Sequence, residues 1–271
     1  MRDIFYRPGC GAAPFRIMGP QNYSGPLRGY KYDYSLGSSS LTGVALRARE
    51  VSVSALIPDG GDEAAQLAML ADVEMGTPGT IVTDSGWAQR ALVPVVELGG
   101  TENGWASVTL TIALLDGRWH REVTRELLPT SRMAMEWLNL PTNPPYNLGG
   151  TRPAVELDTG WATPCPLRLT VWGPASSPSL RIGENTYSFG IDVPDGARLV
   201  ADGTGARKSI TIIDVNSDAT DRFDCGARGS GLGSGTYCFE PLPAGPLGVS
   251  WDGSFGVTLA WWQTRGGLPW S

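Results

Sequence analysis

Histidine is almost missing from this chain. There is one, His120, in 271 residues. A Ser-His-Asp or Cys-His triad would have to be built on it. It stands between Trp119 and Arg121 on a polar alternating stretch, the setting of a solvated or core-edge residue. No G-x-S-x-G elbow offers a serine nucleophile. Charge is also scarce, at 18% of residues with a net of −6. With no long Lys/Arg cluster, that argues against a nucleic-acid surface. No apolar run approaches the roughly 20 residues that cross a bilayer, so membrane insertion is not expected. The first residues, Met1-Arg-Asp-Ile-Phe-Tyr6, hold no apolar signal core, so no export signal is expected either. The four cysteines, Cys10, Cys165, Cys225 and Cys238, form no C-x-x-C pair, which speaks against a zinc knuckle or a redox motif. They read as buried free thiols of a protein made in a cytosol, with a Cys225–Cys238 bridge left open.

Glycine and proline are abundant, 36 and 21 residues. With only one long helical segment in the pattern, that composition points to short strands joined by turns, and the length allows two domains. The first domain is organised around residues 41–92. Leu41-Thr-Gly-Val-Ala-Leu46 leads into Val51, Val53, Ala55 and Ile57, which recur with the two-residue period of a half-buried strand. Glu63 to Met75 then reads as an amphipathic helix, with Ala64, Leu67, Leu70 and Ala71 as its apolar face. Gly76-Thr-Pro-Gly79 ends it. A strand over 80–82 turns at Asp84-Ser-Gly86 and returns through Trp87 to Val96. After a turn over 99–104, Val108, Leu110, Ile112 and Leu114 mark a further strand, and Asp116-Gly117 a hairpin. Trp119 to Glu126 continues as a polar strand.

Before this unit, residues 1–36 read as irregular, apart from an edge strand carrying Tyr30, Tyr32 and Tyr34, and Ser38-Ser-Ser40 is a turn. Residues 130–140 fit a short helix or a strand. The run Pro141-Thr-Asn-Pro-Pro-Tyr-Asn-Leu-Gly-Gly150 reads as a linker. This places the domain boundary near residue 148, with domains over 1–148 and 149–271. The second domain is all strand by pattern: Leu167, Leu169, Val171; Tyr187, Phe189, Ile191; Ala197, Leu199, Ala201; Ile210 to Ile213; and Leu247, Val249, Trp251 joined through Asp252-Gly253 to Phe255, Val257, Leu259, Trp261. Short strands at this spacing read as a β-sandwich.

The strand, helix, Pro-Gly turn and hairpin of residues 41–92 resemble the N-terminal domain of siphophage distal tail proteins. In the second half, Pro166-Leu-Arg-Leu-Thr-Val-Trp-Gly-Pro174, Ile182-Gly-Glu-Asn-Thr-Tyr187, Cys238-Phe-Glu-Pro-Leu-Pro-Ala-Gly245, Val249-Ser-Trp251 and Arg265-Gly-Gly-Leu-Pro-Trp270 resemble the C-terminal sandwich of that family. The resemblance runs from about Leu41 to the end. It implies a mainly β chain, with an N-terminal split-barrel-like domain that forms a ring and a C-terminal galectin-like sandwich. It further implies a homo-oligomer, a hexamer, at the virion tail tip. Tail tube protein and tail tip or baseplate proteins would be its partners, and DNA would pass through the channel without specific binding.

No cofactor, metal or catalytic residue is expected. Asp214-Val-Asn-Ser-Asp218 begins like a calcium loop, but Ala219 and Cys225 replace the turn glycine and the bidentate glutamate. Gly203 to Lys208 resembles a P-loop only loosely, and Gly226 to Gly235 reads as a flexible glycine loop with no phosphate-binding helix after it. Of the tryptophans, Trp172, Trp251 and Trp261 are expected in the core. Trp262, next to Trp261, must point the other way and is the candidate contact for a glycan or an interface. A carbohydrate-binding module for host-cell adhesion is the alternative function; a polysaccharide-degrading enzyme is a distant third.

Overall fold

A computed structural model describes residues 3–18, 25–58, 63–129, 155–205 and 207–269. The chain is mainly β and divides into two compact units: Met1–Arg121 with Thr264–Ser271, and Glu122–Gln263. The linker expected at 141–150, the undecided stretch at 130–140 and the boundary expected near residue 148 lie outside the described residues.

The first unit contains strands β1 (Ile4–Arg7) and β2 (Phe15–Met18), a single turn of helix α1 (Gly25–Arg28), strands β3 (Asp33–Leu36), β4 (Leu41–Ala45) and β5 (Arg49–Pro58), helix α2 (Glu63–Met75), then β6 (Gly79–Thr83), β7 (Trp87–Glu102), β8 (Trp105–Leu114) and the start of β9 (Trp119–Leu127). The sheet runs β2-β1-β6-β7-β8-β5, all antiparallel. Its core follows the expected alternation. Val51, Val53, Ala55, Val108, Leu110, Ile112 and Leu114 are buried, and β5 and β8 pair along their whole length, from Arg49 opposite Leu114 to Pro58 opposite Trp105.

Several details differ from the sequence reading. Residues 4–7 are not irregular. They form a central strand with Ile4 and Tyr6 buried, paired to β6 and β2. β7 continues past Val96 to Glu102, with two bulges, and turns at Asn103-Gly104. Both of those residues have positive φ, 52° and 77°, the requirement of a two-residue hairpin loop. Asp116-Gly117 is not a hairpin. β8 pairs with β5 and β7, and β9 with β7, while Asp116 accepts from the Arg90 backbone N–H (3.0 Å) and guanidinium.

Helix α2 forms over the expected residues and ends as expected. Thr77 N–H reaches the Asp72 carbonyl and Gly76 N–H the Val73 carbonyl (3.0 and 3.2 Å), with Gly76 at φ +63°. Its buried face, however, is Ala65, Ala68, Met69 and Asp72, not the expected Ala64, Leu67, Leu70, Ala71. Leu67 and Leu70 stand 57% and 51% exposed. The alanine stripe lets the helix approach β7 closely. Asp72 is tolerated there because its oxygens accept from Tyr6 Oη (2.7 Å), Gly9 N–H (2.9 Å) and Cys10 N–H (2.7 Å). A side chain on Gly79 would collide with the Tyr6 ring, so that glycine admits the network.

The second unit adds β10 (Val155–Asp158), β11 (Leu167–Trp172), β12 (Ala175–Ser176), β13 (Ser179–Ile182), β14 (Asn185–Ser188), β15 (Asp192–Val193), β16 (Arg198–Asp202), β17 (Ser209–Ile213), β18 (Ala219–Asp221), β19 (Pro246–Trp251) and β20 (Gly256–Arg265). One sheet runs β18-β17-β16-β11-β20 and the other β10-β19-β13-β14. Between them lies one core that includes Leu169, Leu180, Tyr187, Phe189, Leu199, Val249, Trp251, Leu259 and Trp261, so the sandwich pattern holds. Asp252-Gly253 is a corner rather than a hairpin, because β19 and β20 belong to different sheets. Asp252 Oδ1 accepts from Ser254 N–H (2.9 Å), and Trp251 Nε1 donates to the Phe255 carbonyl (3.1 Å). Four residues thereby cross the roughly 10 Å between sheets.

Candidate functional site

The described residues hold no group of three or more His, Cys, Asp and Glu able to bind a metal. Asp214 Oδ1 instead accepts from the Asn216 and Asp218 N–H groups (2.8 and 2.9 Å), which makes the calcium-like start a tight acidic turn. The glycine loop is pinned: Gly233 and Gly235 N–H donate to Oε1 of the buried Glu240 (2.6 and 3.2 Å). Burial pushes the thiols of Cys165 and Cys225 up, and that of Cys238 up to about 11, away from the thiolate that nucleophilic chemistry needs. Cys10, by contrast with the expected buried thiols, is exposed. His120 is half-buried on β9.

What the first unit offers is apolar surface. Strands β3 and β4 form a two-stranded sheet of their own, in which every residue is exposed. Tyr34 pairs with Val44 and Leu36 with Leu41, and these four are 53–71% exposed. An isolated two-stranded hairpin is marginal in water. Tyr30 and Tyr32, edge to face at 5.5 Å, extend the aromatic patch before it. Elsewhere in the unit, Leu67, Leu70 and Val73 of α2 face Val93, Pro94, Val96 and Leu98 of β7 across a groove of about 430 Å³. Glu63 lines it, and Glu74 and Glu97 are exposed on the same two elements.

The second unit presents mainly polar side chains outside its core, with two indoles. Trp262, the residue expected to point away from Trp261, does so: Trp261 is buried with Nε1 donating to the Thr159 carbonyl (3.3 Å), while Trp262 is half-buried. The Arg168 guanidinium lies 4.9 Å from the Trp262 ring centroid and is itself held by Asp202 (2.9 Å). Burial pushes Asp202 up, but hydrogen bonds from Thr204 and Arg168 outweigh it and hold that carboxyl below its ordinary range. Trp172, expected in the core, is 43% exposed. The cause is parity: Leu167, Leu169 and Val171 point inward on β11, so residue 172 must point out. Its Nε1 donates to Thr258 Oγ1 (2.9 Å) and the Arg198 guanidinium lies 5.6 Å from its ring.

Comparison of the sequence with family models and with curated proteins gives no match. Solved structures do match in fold. A chain in the structure of the phage p2 baseplate in its activated conformation with Sr aligns over 99% of this chain and 100% of its own length, with TM-score 0.55 at 7% identity. A chain of the phage P2 baseplate in its activated conformation with Ca gives 0.54 at 8% identity, over the same shares. The SPP1 Dit (gp 19.1) protein gives a TM-score of 0.44 at 11% identity, over 98% of this chain and 99% of that one. The fold of this chain, end to end, is the one seen in the phage p2 baseplate chains.

Proposed function

We propose that this chain is a structural protein in the tail of a long-tailed phage or prophage. It acts as a distal tail hub whose copies close a ring that joins the tail tube to the baseplate or tip. The observation that carries the reading is the likeness along 99% of the chain to whole phage p2 baseplate chains. In this reading the first compact unit, Met1–Arg121 with Thr264–Ser271, forms the ring, a hexamer by family resemblance, and the second, Glu122–Gln263, forms the outward domain. The ring lumen passes DNA without specific contact, which a net charge of −6 favours by repelling phosphate. The protein is made in the host cytoplasm and resides at the virion tail tip, and its role asks no catalysis of it.

The exposed surfaces of the first unit support self-association. The β3–β4 hairpin and the α2–β7 groove are two different apolar patches on one chain. Such a pair makes head-to-tail contacts, which generate a ring where the rotation from copy to copy closes. Lys31 lies beside the hairpin, where Arg47 is paired with Asp33 (2.9 Å), whereas Glu63 lines the groove and Glu74 is exposed on the same helix. A hairpin of one copy seated in the groove of the next covers Leu36, Leu41, Leu67 and Leu70 together. Sedimentation velocity across a concentration series tests the reading. A discrete species of several copies is the expected result; a single-chain mass throughout would sink it. The alternative, a carbohydrate-binding sandwich, is favoured by a separate observation, the exposed indole of Trp172.

A further inference from the structure

A cleft of about 310 Å³ opens beside Trp172 within the second unit. Its walls include Glu126, Pro129, Trp172, Pro174, Ser254 and Thr258. The indole is held rather than loose. Its only polar atom donates to Thr258 Oγ1, and Arg198 flanks it at 5.6 Å. What the ring offers the cleft is an apolar π-surface of fixed orientation. Gly256, paired with Trp172 in the β11–β20 ladder, leaves the floor beside the ring low. A Cβ at that position would already touch Pro129 Cδ at 3.4 Å and Trp172 Cβ at 3.7 Å, so any larger side chain there would fill the space. Glu126 brings a carboxylate acceptor to the same cleft, and Ser254, whose hydroxyl proton goes to Asp252 Oδ1 (2.8 Å), has only acceptor capacity left to offer there.

This combination selects a ligand class. A flat aromatic surface takes an apolar face of C–H groups. A carboxylate takes hydroxyl donors and repels anions. A pyranose ring has both a C–H face and a rim of hydroxyls. A volume near 310 Å³ is at the small end of ligand pockets and suits one or two such rings. A proline-rich peptide would also pack on an indole. Its tertiary amides, however, have no hydrogen to give Glu126, and the cleft's own prolines offer none to the peptide carbonyls.

We propose that the cleft beside Trp172 is a saccharide-binding site, in which a neutral pyranose stacks on the indole and donates its hydroxyls to Glu126. The site lies wholly within the second compact unit, Glu122–Gln263, and the surfaces proposed for self-association lie in the first, so it does not depend on ring formation. Its failure would leave the hub reading intact, and the reverse holds as well.

The test is isothermal titration of the full-length chain with neutral trisaccharides that differ in linkage and in which C–H face they present: cellotriose, N-acetylated chitotriose and maltotriose. Binding of at least one, with Kd of about 1 mM or tighter, is expected. Trp172→Ala should weaken it by roughly tenfold or more. Glu126→Gln, at an exposed position with no folding risk, should weaken it about threefold to tenfold. Trp262→Ala should leave it unchanged. The proposal is overturned by no binding of any trisaccharide up to about 10 mM. It is also overturned by Glu126→Gln and a folded Trp172→Ala that both bind as the unaltered chain does, by loss of binding in Trp262→Ala alone, or by a proline decamer that binds where no trisaccharide does.

Discussion

The two units spend their apolar residues differently. Among the described residues, thirteen large hydrophobic side chains stand exposed in the first unit and four in the second. The second unit has two sheets facing each other, so each strand has somewhere to put its apolar face. The first unit has one sheet, one long helix and a separate hairpin. Its helix is apolar nearly all round, and burying one stripe leaves Leu67 and Leu70 in water. On the proposed reading, the contrast separates a domain that is complete as one chain from a domain that is completed by another copy. The proposed hub role gives the exposed area of the first unit a purpose in assembly, and the proposed saccharide site lies in the closed sandwich.

The strongest way to break that contrast is to charge the groove. Leu67→Asp with Leu70→Asp places two carboxylates beside Glu63 and Glu74, and the assembly should be lost entirely at concentrations where the unaltered chain associates. Unfolding midpoints should hold to within about 0.5 kcal/mol, because both positions are exposed. Light scattering after size exclusion, alongside thermal melts, reads both quantities. The opposite pattern is expected in the second unit. Leu199→Ala, at a fully buried core position, should cost about 2–5 kcal/mol of stability. In a urea titration near-UV circular dichroism should show an earlier transition, with association retained wherever the chain is folded.

Asp72 sharpens the comparison inside the first unit. Burial pushes its carboxyl up, yet hydrogen bonds from Gly9, Tyr6 and Cys10 outweigh burial and hold it below its ordinary value. Tyr6 is shifted upward, first by burial and then by its bond to Asp72. A depressed carboxyl stabilises the fold above its unfolded pKa of about 3.9, and the benefit is lost as pH falls through the lower folded value. Asp72→Asn should thus cost about 1.5–3 kcal/mol at pH 7. The gap to the unaltered chain should narrow as pH drops below about 4. Denaturant titrations at pH 7 and below 4 measure it, and a gap independent of pH would contradict the account. The smallest effect is expected from the hairpin: Leu36→Ser with Leu41→Ser should weaken association by about tenfold, because part of the buried apolar area goes and the groove remains.

How much of this was legible in the sequence depended on whether a signal was local. The run from β5 through α2 to β7 could be read because each element carries its own period and its own stop signal, Gly76 above all. Trp172 was misassigned although its parity was on the page: it follows Val171 and so cannot share that residue's face. The face of α2 was not legible, since Leu67, Leu70, Ala65 and Met69 are all apolar and only the sheet decides which stripe is buried. Asp116-Gly117 and Asp252-Gly253 carry a hairpin's residues, but pairing is a long-range outcome. In both places the following strand joins a different neighbour. β1 escaped notice because four residues are too few to establish a period, although Ile4 and Tyr6 do alternate with Phe5 and Arg7. The tie between Glu240 and the glycine loop had no local signature at all. Among the candidate sites, Trp262 was placed by parity, and the cleft needed three dimensions to bring Glu126, Trp172 and Ser254 together.

The most direct test of the central claim, that this chain is completed by further copies of itself, is negative-stain electron microscopy of the purified protein over a range of concentrations. Closed rings with a central hole, absent from Leu67→Asp with Leu70→Asp, are the expected result, and they would give the number of subunits by inspection. Single compact particles at every concentration would contradict it.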